Sequence, residues 1–245
     1  MKKAIILSLA VIFCAIGNAS AQKYEYRIKS GVNIGGTLPL PLPAQIRKIT
    51  GYSPALSLML GGDVVRHINS RWGVQTGVKF ETKGMTARAQ VKGYQISMTI
   101  SDGDTSGAVE GVFTGKVKTE VKNAYLSFPF LAVYNLTPRW SLDGGVFLSV
   151  LLNGDFGGEA YDGYIREGSP VGEKVGVSSA TFSFSDDIRT LNWGGQFGAR
   201  WRAYRQFSVF GDMTWAANSI FKRDFTGINF DMYNVYFNVG FAYTF

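Results

Sequence analysis

The segment that most constrains this chain is its last, Tyr233 to Phe245. Its odd positions are Tyr233, Val235, Phe237, Val239, Phe241, Tyr243 and Phe245, and its even positions are Asn234, Tyr236, Asn238, Gly240, Ala242 and Thr244. A period of two is that of a β-strand, whose successive side chains point to opposite faces; no helix repeats at that interval. One face is apolar along its whole length, and the segment predicts a strand with that face in hydrocarbon.

The same alternation runs upstream. Phe207 to Ala217 sets Phe207, Val209, Met213 and Trp215 against Ser208, Asp212 and Thr214, and Trp193 to Ala203 sets Trp193, Phe197, Ala199 and Trp201 against Gln196, Arg200 and Arg202. Trp140 to Leu152 pairs an apolar face with Ser141, Asp143 and Ser149, and Tyr125 to Tyr134 turns Leu126, Phe128 and Phe130 one way and Ser127 and Pro129 the other. Trp72 to Phe80 opposes Trp72, Val74, Val78 and Phe80 to Gln75, Lys79 and, just beyond, Glu81; Leu56 to Val64 carries Asp63, and Tyr26 to Ile34 carries Arg27, Lys29 and Asn33. These eight segments have about the 9–11 residues that a tilted strand needs to cross a bilayer.

Connections alternate in length. Short turns fall at His67 to Arg71, Leu136 to Arg139 and Ala203 to Gln206, while long segments fall at Thr37 to Tyr52, Gly84 to Lys122, Asp155 to Asp187 and Asn218 to Met232. Bacterial outer-membrane barrels place short turns in the periplasm and long loops outside. The expected fold is therefore all-β: an eight-stranded antiparallel transmembrane β-barrel, an up-and-down meander with long extracellular hairpins. Gln90 to Ile100 and Val112 to Val121 still alternate around a turn-rich tip near Asp102 to Ser106, which predicts a hairpin continuing above the membrane, and a similar hairpin is expected around Gly168-Ser169-Pro170. No linker separates a second domain.

The amino terminus reads as an export signal. Met1-Lys2-Lys3 is followed by an apolar run from Ala4 to Ile16 and by Ala19-Ser20-Ala21, an A-x-A cleavage site. Residues 1–21 are thus expected to be a signal peptide and 22–245 the barrel domain. The run is too short to span a bilayer as a helix. Cys14, the only cysteine, lies inside it, so the mature chain is expected to have neither thiol nor disulfide. Acylation of Cys14 as in a lipoprotein is disfavoured by the bulk of Phe13. Aromatic residues make up 14% of the chain and there are 30 glycines, which suits girdled, closely packed strands.

With the strands placed, the chain resembles the PorT-like outer-membrane β-barrel family of Bacteroidetes. The likeness rests on Ile28-Lys29-Ser30-Gly31-Val32-Asn33-Ile34-Gly35, on Tyr125-Leu126-Ser127-Phe128-Pro129-Phe130-Leu131 and on Val239-Gly240-Phe241-Ala242-Tyr243-Thr244-Phe245. Many family members have an acidic residue where Ser127 stands. The resemblance implies the outer membrane as location, and a terminal aromatic, here Phe245 with Tyr243 and Phe241, that the assembly machinery reads. One branch of the family assists protein secretion.

Candidate site residues come from the inward faces. Arg27, Lys29, Lys79, Arg200 and Arg202 are expected to share a lumen with Asp63, Glu81, Asp143 and Asp212, forming a paired, filled polar network, because an unpaired buried charge is very costly. The alternatives are a narrow transport pore with a basic bias, lined by Arg200, Arg202 and Lys79, and a lipid-modifying barrel enzyme. The latter would need His67, the only histidine, which falls in a periplasmic turn. The acidic segment Asp155 to Asp187 lacks the spacing of a calcium loop. No catalytic residue, metal or cofactor is expected.

Trp72, Trp140 and Trp193 read as membrane-interface anchors. Without Lys2 and Lys3 the chain keeps 23 basic against 18 acidic residues, scattered between strands and loops. That favours anionic surfaces such as lipopolysaccharide over nucleic acid. Outer-membrane lipid, the assembly machinery and a protein partner at the extracellular loops are the expected contacts.

Overall fold

The computed structural model describes residues 24–102, 105–167 and 171–245. The signal read over 1–21 and the turn tips at Gly103-Asp104 and Gly168-Ser169-Pro170 lie outside the described residues. Alternating sequence gives strand almost everywhere: β1 Tyr24–Pro39, β2 Ile46–Pro54, β3 Leu58–His67, β4 Trp72–Asp102, β5 Thr105–Asn135, β6 Trp140–Asn153, β7 Phe156–Glu167, β8 Lys174–Ser183, β9 Leu191–Tyr204, β10 Phe207–Ala216 and β11 Met232–Thr244. A short 3-10 turn, Ser185–Asp187, precedes β9. All pairings are antiparallel.

Eight strands close a ring in the order β1, β3, β4, β5, β6, β9, β10, β11 and back to β1. The expected eight-strand wall is present, but the sheet has eleven strands. The additional three arise in the long connections: β2 begins within Thr37 to Tyr52 and runs two residues past it, and β7 and β8 lie within Asp155 to Asp187. β4 and β5 each run for 31 residues, far more than a bilayer needs, and their outer halves form the hairpin that supports these three strands. β2 pairs with β4 on one side, and β7 pairs with β5 on the other. β8 pairs with β7 and touches β4 again at Thr99↔Thr181 and Ile100↔Ala180, closing a smaller ring that caps the barrel.

The two rings have opposite cores. In the barrel, Ile28, Leu60, Phe80, Phe130, Phe197 and Phe241 are exposed on the outside while Lys29, Gln75, Glu81, Ser127 and Asp212 are buried inside. In the cap, Met85, Val91, Phe113, Phe156, Phe182 and Phe221 form a conventional apolar core. The reversal is visible along single strands. The inward face of β4 reads Gln75, Lys79, Glu81, Lys83 and then Met85 and Val91, all buried; its outer face passes from Val74, Val78 and Phe80 to Arg88 and Gln90. The hydrocarbon boundary on β4 thus falls near Lys83 to Met85.

The segment between β10 and β11 is not a strand, yet it is held down. Ile220, Phe221 and Ile228 are buried in the cap core, Phe221 and Phe225 stack at 4.3 Å, and the guanidinium of Arg189 donates to the Phe221 carbonyl through Nε at 3.1 Å and Nη2 at 2.9 Å.

Closure depends on β1 and β11, paired from Arg27↔Thr244 to Pro39↔Met232, with the Phe245 N–H donating to the Tyr26 carbonyl at 3.0 Å beyond the last pair. Gly31 faces Gly240 in this seam, and a Cβ on Gly240 would fall 2.1 Å from the Ser30 carbonyl oxygen. Gly240→Val is therefore expected to abolish the heat-modifiable folded band on semi-native gels. One residue inserted after Asn238 should do the same, since it turns Val239, Phe241, Tyr243 and Phe245 from lipid to lumen. Wild-type folding of both variants would show that this seam does not close the barrel.

Candidate functional site

The lumen holds a dense network of charged side chains, and strand parity puts it there. At the end with the short turns, Glu25 is the hub. Its Oε1 accepts from Arg27 Nε at 2.6 Å and from Arg200 Nη1 at 2.9 Å, and its Oε2 lies 3.1 Å from His67 Nε2. Arg27 Nη1 donates to Gln75 Oε1 at 3.1 Å, and Gln75 Nε2 donates to Asp63 Oδ2 at 3.0 Å. Arg200 also reaches Ser141 Oγ at 3.3 Å through its Nε.

One layer up, Lys29 Nζ bridges Asp212 at 3.0 Å and Asp63 at 3.4 Å, and sits 4.2 Å from the ring centre of Phe210. Lys79 donates to Gln196 Oε1 at 3.3 Å. Glu81 lies between two lysines of its own strand, 3.5 Å from Lys79 and 3.3 Å from Lys83, and accepts from Ser127 Oγ at 2.6 Å. Lys83 is enclosed by aromatic rings, with the centres of Tyr125, Phe147 and Tyr236 within 5.4, 5.4 and 5.6 Å of its Nζ. An amide and hydroxyl layer closes the top: Asn234 Nδ2 donates to Tyr125 OH at 3.2 Å and to Asn192 Oδ1 at 3.3 Å, and Thr37 Oγ1 donates to Asn234 Oδ1 at 2.8 Å.

Among the residues read from sequence, Arg27, Lys29, Asp63, Lys79, Glu81, Arg200 and Asp212 are buried in this network, and Asp143 is partly buried beside it with its Oδ1 enclosed. Arg202 is a correction. It has inward parity and its backbone is still paired, with Ser208 on β10 and through its N–H with the Arg139 carbonyl, but it lies at the last rungs of the wall and its side chain is exposed at the open rim with Glu25, His67 and Arg205. Glu25 and Lys83 were missed. Both lie just outside the strand limits read from alternation, Tyr26 and Phe80, so their parity was not followed. With them, five cations (Arg27, Lys29, Lys79, Lys83, Arg200) meet five anions (Glu25, Asp63, Glu81, Asp143, Asp212).

The other candidates resolve simply. His67 sits at the turn end against Glu25, and no serine hydroxyl bonds to it among the described residues. The acidic stretch is mostly the β7–β8 hairpin, where Asp162 pairs with Lys116 at 2.9 Å and Glu159 accepts from Ser179 at 2.7 Å. Among the described residues no group of three His, Cys, Asp or Glu could hold a metal. Trp72 and Trp140 lie outward at the turn end, Trp72 at 4.8 Å from Tyr134 and Trp140 at 6.1 Å from Trp201. Trp193 lies outward toward the cap, eight residues before Trp201 on β9. That is roughly 26 Å of strand, or about 20 Å of membrane at a tilt near 40°.

A closed ring with an apolar outside, a polar inside and aromatic belts at both edges defines an integral β-barrel membrane protein. The chain belongs to the outer membrane protein β-barrel domain family, whose model matches residues 20–222, and its place is the bacterial outer membrane. It is similar to the attachment invasion locus protein Ail of Yersinia pestis, solved in complex with the heparin analogue sucrose octasulfate (12% identity, 91% of this chain and 98% of that chain, TM-score 0.36). It is also similar to the outer membrane protein OprG of Pseudomonas aeruginosa (12% identity, 91% and 96%, TM-score 0.30). No curated protein sequence matches it.

The network makes unequal demands on its members. Glu81→Ala leaves two buried lysines short of their shared carboxylate and is expected to cost about 3–5 kcal/mol. Arg200→Ala should be costly for the same reason, because it removes a partner of Glu25. Arg202→Ala, at the exposed rim, should stay within about 0.5 kcal/mol of wild type. Urea unfolding in lipid vesicles, followed by tryptophan fluorescence, measures all three; equal losses would refute this arrangement.

Proposed function

We propose that this protein is a non-enzymatic outer-membrane barrel, its lumen a solid polar plug and its extracellular cap a contact surface for a partner at the cell surface. The observation that carries this reading is the state of mid-lumen. Ser127 and Ser149 are 0% exposed, and Gln75, Glu81, Lys83, Tyr125 and Tyr236 are 1% exposed, with cations and anions matched five to five. An ion path needs water and a charge bias; these side chains leave room for neither, and the groups that would line a basic pore are engaged, Lys79 by Gln196 and Arg200 by Glu25. With the lumen filled, what the barrel offers the outside is the cap.

The cap is built to hold its shape. Its apolar core braces a sheet face carrying Lys116, Lys118, Glu120, Glu159, Asp162 and Ser179, joined by the ion pairs Lys118–Glu120 at 2.6 Å and Lys116–Asp162 at 2.9 Å. Such a rigid mixed-charge face suits protein recognition, and the PorT-like resemblance makes a component of a secretion apparatus one such partner. In this reading Trp72, Trp140 and Trp193 anchor the barrel at the two interfaces, lipopolysaccharide surrounds it, and Phe245 with Tyr243 and Phe241 serves the assembly machinery.

In planar bilayers the purified barrel is expected to conduct almost nothing; a steady step of porin size would refute the plug. Epitopes inserted between Asp102 and Thr105, or between Glu167 and Val171, should label on intact cells, because hairpin tips accept insertions at little cost to the packed strands. Labelling only after permeabilisation would place the cap in the periplasm.

A further inference from the structure

The barrel wall is not equally closed along its height. β1 stays paired with β11 up to Pro39, but its pairing with β3 ends at Val32↔Leu58. The chain that enters β3 comes from β2, which is paired to β4 from Ile46↔Val91 to Pro54↔Met85. Above Val32, therefore, β1 faces the β2–β4 ribbon with no regular ladder between them. Asn33 N–H still reaches the Ser57 carbonyl at 2.8 Å, and higher up the Tyr52 hydroxyl donates to the Gly35 carbonyl across the gap.

This gap opens into an apolar cleft of about 520 Å³, inside the roughly 300–1,000 Å³ range of pockets that enclose small ligands. Its outer lip includes Ile34, Met213 and Phe237, which belong to the lipid-facing surface, and its deep wall includes Met85, Val91 and Phe156 from the cap core. Height is fixed by register: Gly36 pairs with Val235, and Val235 with Trp215, so the mouth lies at the cap-side aromatic belt. Glycine at position 36 keeps the mouth open, since a Cβ there would lie 2.9 Å from Met85 Sδ. Below the cleft, Tyr125, Tyr236 and Asn234 seal the lumen, so the cleft leads from the bilayer into the cap and not through the membrane.

The rim above the mouth is basic. The ribbon formed by residues 46–54 and 85–95 carries Arg47, Lys48, Arg88 and Lys92 and contains no Asp or Glu, and Arg88 lines the cleft itself. Lys and Arg at this height attract anionic headgroups, while the apolar walls suit a chain that never leaves hydrocarbon. We infer that this cleft is a lateral lipid-binding site that takes one acyl chain of an anionic outer-leaflet lipid, with the chain between Ile34 and Met85 and the headgroup phosphate at Arg88. A protein occupant is disfavoured because the mouth opens at the edge of the hydrocarbon. The site is separate from the surface-contact reading of the cap; only its placement in the outer leaflet rests on the cap lying outside the cell.

The test uses the barrel in phosphatidylcholine vesicles containing phosphatidylglycerol with a diazirine at the end of one acyl chain. After irradiation, labelled residues are mapped by mass spectrometry. Labels at Met85, Val91 or Phe156 are expected in the wild type and should be lost in Ala89→Trp, which fills the cleft, and in Ile49→Trp, placed on the exposed strand at its mouth. Arg88→Glu should remove the preference for labelled phosphatidylglycerol over labelled phosphatidylcholine. Labels confined to the lipid-facing ring, such as Ile28, Val74 and Phe130, would overturn the inference. So would deep labelling by diazirine-palmitate but not by the phospholipid. The wild-type map decides the matter even if a variant fails to fold.

Discussion

Everything in this molecule rests on the closure of the backbone hydrogen-bond ladder between its first and last strands. In hydrocarbon an open sheet edge would leave a row of N–H and C=O groups without partners, each costing several kcal/mol, so β1 and β11 have to meet along their length. Once they do, the interior becomes a space of fixed diameter that side chains must fill, and the parity of each strand decides which side chains those are. The ion pairs, the aromatic belts and the cap are consequences of that ring.

The chain uses one backbone pattern for two opposite solvents. Along β4 the face that buries Glu81 and Lys83 goes on to bury Met85 and Val91, while the face that shows Val78 and Phe80 goes on to show Arg88 and Gln90. β5 does the same in reverse order: Phe113, Val117 and Val121 are buried in the cap, and Asn123, Tyr125 and Ser127 in the barrel. No turn or break is needed, because the strand crosses from lipid to water and the meaning of inside changes with its surroundings. Where the switch occurs, Lys83 makes its compromise among three aromatic rings and one carboxylate.

Much of this was legible in the sequence, because alternation with a period of two is a local signal. The eight wall strands, the short turns at one end and most of the inward charges follow from reading parity along Tyr233 to Phe245 and its seven counterparts. What escaped was whatever depends on where a strand stops or on partners far away in the chain. Lys83 lies beyond Phe80, where the apolar face gives out, and Glu25 lies before Tyr26. Arg202 keeps inward parity at the last rungs of the wall, where the lumen opens to the turn-end rim. β2 has no clean alternation of its own: Arg47, Lys48, Ile49 and Thr50 are all exposed, and its strand character comes from pairing with the free edge of β4. The apolar cleft could not be read at all, since its walls come from seven strands.

The lumen pairs also bear on the order in which such a barrel can enter the membrane. Lys29, on the first strand, finds Asp212 on the tenth as well as Asp63 on the third, and Glu25 finds Arg200 on the ninth as well as Arg27 beside it, so charges made early share their partners with residues made late. A sheet of β1, β3 and β4 alone would offer the bilayer four lumen cations against three anions, with Lys29 lacking one partner and Glu25 lacking another. The completed ring carries no net lumen charge, with five cations against five anions. The ion pairs of Lys29 and Glu25 are thus complete only when β9 and β10 have joined the wall, and the charge pattern ties the first strand to the ninth and tenth.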